Sequence, residues 1–173
     1  MNPRLQYLFD RLEAQHQTVL QSIAHIPNEL FIKRPPSGNW SLSEILAHLQ
    51  TSEQLSIQYL NKKILGTDQY KNTDLRHELL MVVLKISQRL PFKFKAPKVL
   101  VSNTPMYTTK EHLIEQWANT QQQLKELLEK FGDGQLRKQV YRHPVAGLIN
   151  IQQALIFFSE HIIHHQPQIN RLL

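Results

Sequence analysis

Apolar residues return every three or four positions along most of this 173-residue chain, the period of an amphipathic helix. The first stripe holds Leu5, Leu8, Phe9, Leu12, Val19, Ile23 and Ile26. Asn2 and Pro3 ahead of it suit an N-cap followed by a first helical residue, and Pro27 closes it. The second stripe opens at Trp40-Ser41-Leu42-Ser43-Glu44-Ile45. Ser41 and Glu44 stand at the positions of a capping box, Trp40 and Ile45 at those of a hydrophobic staple, and the helix should run to Ile64, near Gly66. A third predicted helix starts near Thr108, with Glu111 three residues on, and repeats Leu113, Trp117, Thr120, Leu124, Leu127 and Phe131. Gly132 then offers a left-handed stop. The fourth starts at Asn150, boxed by Gln153, with the stripe Ile151, Ala154, Phe158, His161, His165, Gln168 and Leu172.

The second and third helices are separated by about forty residues, where the loops of a simple up-down bundle are short. A short helix is predicted over 74–90 and an irregular stretch over 91–105. So long a connection suggests a crossover, which lets the second and third helices run the same way. The expected fold is therefore all-α: a four-helix bundle of up-down-down-up topology, with residues 1–173 forming one domain and a helix-containing crossover between helices two and three. Five glycines and a thin scatter of Val and Thr argue against a β protein.

Composition narrows the chemistry. With no cysteine, the chain has no disulfide framework, no thiolate metal ligand and no cysteine nucleophile. The N-terminus carries no apolar h-region, and the longest apolar run, Leu79 to Leu84, is too short to span a bilayer. A cytoplasmic protein is the expectation. The formal net charge is +6, unevenly spread: no acidic residue lies between Glu78 and Glu111, while Lys85, Arg89, Lys93, Lys95, Lys98 and Lys110 all do. Such a segment suits an anion or simple solvation. No helix-turn-helix spacing or aromatic-basic interleaving points to nucleic acid.

The sharpest chemistry lies in Ser159-Glu160-His161-Ile162-Ile163-His164-His165. His161 and His165, four apart on a helix, share its core-facing side about 6 Å apart along the axis. Two neutral imidazoles at that spacing can hold one metal ion. The spacing alone is weak, since nine histidines in this length give about half of one such pair by chance. Two imidazoles on one buried stripe are costlier, because each polar nitrogen needs a partner. His48, on the stripe Ser41, Ile45, His48, Ser52, Leu55, Tyr59, supplies a third donor if the crossover brings its helix end to the same level. Glu44, one turn earlier, is placed to orient it. The pattern is not H-E-x-x-H, since Ile162 stands where that glutamate would be, and no C-x-x-C-H is present for haem. Three histidines with open positions fit a reactive centre. His16 reads as a packed core residue, His164 as flanking the site, His143 as capping the turn before Pro144, and His25, His77 and His112 as surface or helix-end residues.

Three stretches, NWSLSEILAHLQTSE, RHPVAGLINIQQAL and SEHIIHHQPQINRLL, together resemble the DinB-like superfamily over nearly the whole chain. The segment APKVLVSNTPMYTTKEHL resembles its branch with a longer second loop. The resemblance implies a four-helix, up-down-down-up bundle with His48, His161 and His165 as metal ligands. It implies a divalent metal, zinc or nickel first and iron or manganese next, a homodimer, and transfer chemistry with low-molecular-weight thiols or hydrolysis of small molecules. A non-catalytic metal-dependent small-ligand or stress-response protein is the alternative. Many members carry arginine and glycine after the last histidine, where this chain has Gln166 and Pro167. Such a proline should disturb the helix just past the ligand.

Overall fold

The computed structural model describes residues 1–89 and 98–173, and of Asp68 and Lys98 the backbone alone. It is mostly helical. Helix α1 spans Pro3–Ile23, begun by Asn2, whose side-chain oxygen accepts the Arg4 N–H at 2.8 Å. Short α2 follows at Asn28–Ile32, its single buried residue the anchor Phe31. Helix α3 spans Leu42–Lys63, and its capping box closes as its sequence predicts: Ser41 Oγ accepts the Glu44 N–H at 3.2 Å, and the Glu44 carboxylate accepts the Ser41 N–H at 2.9 Å. A 3₁₀ turn at Ile64–Gln69 leads to α4, Leu75–Arg89.

Part of the stretch read as irregular is helical, as α5, Lys98–Asn103, while residues 91–97 of that stretch lie outside the described residues. Helix α6 spans Lys110–Glu129, one position later than the sequence reading, because the capping oxygen belongs to Thr109, which accepts the His112 N–H at 3.4 Å. Gly132 is not a left-handed stop. Its φ of −79° is an ordinary value, and the chain passes directly into a 3₁₀ turn at Asp133–Gln135. Strands β1, Tyr141–His143, and β2, Gly147–Ile149, make a small antiparallel hairpin that the helical reading overlooked. Gly147, with φ +71°, is the one residue of that hairpin in the left-handed region, where a Cβ is disfavoured.

Helix α7, Ile151–Asn170, starts on a second closed capping box of Asn150 and Gln153. It does not stop at Pro167. A proline there deletes one rung only, a single turn from the helix end, and the turn beyond it is held by fully buried Ile169.

Trp117, Phe31 and Phe158 are the largest fully buried side chains, and each fully buried Leu or Ile around them adds ~1.5–3 kcal/mol over exposure. Helix α3 lies against α6 and α7, α1 against α7 and α6, and α4 against α7. The polar cross-links give the directions. Glu53 meets Trp117, and two turns on Asn61 meets Lys130, so α3 and α6 advance together. Asn28 meets Glu111 at the far end of α1, and Asn2 meets Asp133 at the near end, so α1 runs against α6. No helix among the described residues is long and apolar enough to cross a membrane.

Candidate metal centre

The first half of α3 is buried almost all round, which carries His48 inward between Ile45 and Leu49 and opposite α7. On α7, the four-residue spacing sets His161 and His165 on one face. The three rings converge. His48 Nε2 lies 3.2 Å from His161 Nε2, which lies 3.2 Å from His165 Nε2, and ligand atoms of all three fall within 4.8 Å of one another. Two imidazole nitrogens on one tetrahedral zinc, each ~2.0–2.1 Å from it, sit ~3.3 Å apart. His48 and His165 are buried, and His161 is partly exposed.

Hydrogen bonding within the trio cannot satisfy it. His165 Nδ1 donates to the Gln168 side-chain oxygen at 2.9 Å, which leaves the Nε2 of a neutral ring as a lone pair aimed at the centre. One hydrogen on His161 Nε2 points at one neighbour, so in every neutral tautomer one of the two close contacts is not a hydrogen bond. A cation at the shared centre satisfies all three nitrogens at once. The residues present fit a metal ion.

Electrostatics keep these rings neutral. Burial, helped by the imidazoles of His165 and His164, pushes His48 down to about 3. Burial pushes His165 down to about 4 against the opposing Gln168 hydrogen bond, and holds His161 well below its ordinary value. Metal ligation needs neutral imidazole, which is the form present at pH 7.

Aromatic rings close the surroundings. The Phe157 ring stacks on His161 at 5.5 Å, and the Trp40 ring leans on His48 at 5.2 Å. His164 turns away, its Nδ1 bonded to the Gln88 carbonyl at 2.6 Å, as a flanking residue. His143 caps its turn, accepting the Val145 and Ala146 N–H groups on Nδ1, and packs on Phe157 at 4.3 Å. Glu44 does not orient His48; its carboxylate is taken by Ser41 and Arg34. Gln168 takes that kind of role on His165, a pairing the three-residue spacing could have signalled. His25 and His112 are exposed, and His77 pairs with Asp74 at the start of α4.

The basic crossover is partly neutralised. Arg89 forks onto the Glu160 carboxylate at 3.0 Å through both nitrogens, Lys85 approaches it at 3.4 Å, and Lys110 bonds the Ala24 carbonyl. Lys93 and Lys95 lie outside the described residues.

The sequence model of one family, described as the DinB superfamily, matches residues 11–169. No curated protein and no solved structure matches.

Proposed function

This chain belongs to the DinB superfamily, and from that premise we propose that it is a metal-dependent enzyme acting on small molecules, as a thiol-dependent transferase or a hydrolase. One observation carries the reading: three Nε2 atoms from two helices converge on one point, with their rings neutral. His48, His161 and His165 are the metal ligands in this reading. A divalent cation held by three neutral donors would keep its full charge, and would acidify a bound water or a low-molecular-weight thiol toward neutrality. Zinc or nickel suits three imidazoles best, with iron or manganese next.

The chain's own residues prepare the site. Gln168 fixes the His165 tautomer, Phe157 sets the plane of His161, and Trp40 covers His48 on the α3 side. The half-buried edge of His161 is the side from which substrate approaches. The up-down-down-up order of α1, α3, α6 and α7 is part of this proposal. The parallel cross-links of α3 with α6 and the opposed ends of α1 and α6 support it.

A homodimer is the assembly this reading expects, with the cytoplasm as its compartment. Leu75, Leu79, Val82, Val83 and Ile86 are exposed at helical spacing along α4, an apolar stripe that a second copy would cover. Sedimentation should give twice the chain mass, shifting toward the monomer in Leu79→Glu; a wild-type monomer at high concentration would end that part.

The central test is elemental analysis of untagged protein. Wild type should hold one metal ion per chain, and His48→Ala and His161→Ala should hold far less. Full retention in both variants would remove the site.

A further inference from the structure

Among the described residues two carboxylates are buried, Glu53 and Glu160. Glu53 faces α1 and α6, where it gathers His16, Trp117 and Gln121; His16 Nδ1 and Gln121 Oε1 are left without a partner there. Glu160 sits on α7, one residue ahead of His161, and is 6 % exposed. Arg89, the last residue of α4, forks onto it through Nε and Nη2, both at 3.0 Å, and Lys85 approaches at 3.4 Å. One turn on, His164 Nδ1–H donates to the Gln88 carbonyl at 2.6 Å.

Glu160 and His164 are four apart, so they share a face of α7, one residue round from the face that carries His161 and His165. The last two residues of α4 therefore grip the same turn of α7 that supplies two of the three imidazoles. Convergence of the rings tolerates little rotation of that turn. A ring nitrogen roughly 7 Å from a helix axis moves about 1 Å when the helix turns ~10°, whereas a metal bond tolerates about 0.2 Å. Packing alone does not need a charge at this place. A buried ion pair seldom stabilises more than apolar side chains of the same volume, such as buried Ile162 nearby, but a bidentate fork fixes direction.

We propose that Arg89 is a positioning residue for the metal centre. Through Glu160, and beside the Gln88–His164 bond, it sets the rotation of α7 that brings His161 and His165 onto His48. This role presupposes the metal reading above and adds α4 to the elements that build the site. Its sign is one that charge cannot mimic. Arg89 is a cation bonded one residue from a metal ligand, so Coulomb repulsion alone predicts tighter metal binding on its loss, whereas lost positioning predicts looser binding.

The test compares full-length wild type with Arg89→Met, Arg89→Lys and Lys85→Met. Zinc affinity is read by competition titration, and ligand geometry by the visible absorption of the cobalt-loaded protein. Lys85 stays on Glu160 in both Arg89 variants, so the carboxylate keeps a cationic partner, and a urea midpoint for each metal-free chain checks the fold. Arg89→Met should weaken zinc about tenfold and alter the cobalt spectrum. Arg89→Lys, which keeps the charge and lacks the fork, should recover little of that loss. Lys85→Met removes the same charge without a fork and should leave affinity within about twofold. If Arg89→Met does not fold, Arg89→Lys decides alone: the tenfold loss is expected, and wild-type affinity overturns the role. Unchanged or tighter zinc binding in Arg89→Met, full recovery in Arg89→Lys, or an equal loss in Lys85→Met would each overturn the positioning role while leaving the metal site standing. A wild type that takes up neither zinc nor cobalt would remove the site itself and this role with it.

Discussion

Helix α3 buries two polar environments back to back, and they settle the same problem in opposite ways. Toward α1 and α6, Glu53 gives His16 a carboxylate partner, and Trp117 and Gln121 complete the shell of that charge. Toward α7, the His48 ring meets the imidazoles of His161 and His165, and among the described residues no carboxylate is bonded to the three. The first is a closed hydrogen-bonded knot with two loose ends, and the second is a set of donors facing one another. A buried histidine beside a carboxylate is a structural device, whereas buried histidines whose nitrogens converge on one another can hold a cation. Burial alone does not separate the two cases; the identity of the partner does.

Acid should break the comparison most strongly. The native-state values of His48, His165 and His143 lie near 3, 4 and 4, below the ~6.5 of an unfolded chain. The unfolded chain therefore takes up protons first. The contribution is complete above pH ~6.5, falls as pH drops from there toward the native values, and is fully lost below them. Metal-free protein should lose about 2 kcal/mol per histidine between pH 7 and pH 5, above most of the carboxylate range, read as a falling urea midpoint. A flat profile there would mean that these rings are solvated.

Next comes the knot. Glu53→Ala strands His16, Trp117 and Gln121 together and should cost ~3–5 kcal/mol in urea unfolding. Its metal content per folded chain should stay at the wild-type level. Loss of metal with Glu53 would show that the two regions are one.

The smallest effect sharpens the boundary. Gln168→Leu leaves all three Nε2 donors in place but frees His165 Nδ1, so metal affinity should weaken about 10–100-fold in a competition titration, with little change in metal-free stability. An unchanged affinity would remove Gln168 from the site.

Local chemistry explains what could be read from the chain before it folded. The boxes at Ser41 and Asn150 close within three residues, so their sequence is their geometry. The stripes of α1, α6 and α7 follow from period alone, and His161 with His165 follows from spacing along one helix. The misreadings share a cause. Thr109 outcompetes its neighbour as cap, α7 runs through Pro167 because Ile169 is packed beyond it, and Glu44 turns to Arg34 rather than His48. In each case a contact or a competing partner decides between locally similar options.

The chain by itself therefore determined that this is a helical protein of the DinB superfamily, and which histidines share a helix face, because periodicity and capping act over a few covalent neighbours. Only the tertiary structure decided that His48 meets His161 across 113 positions of sequence, and that His16 is spoken for by Glu53 while one of its nitrogens is left free. Those outcomes depend on which helices pack and how far each is advanced along its neighbour, and no local pattern carries that information.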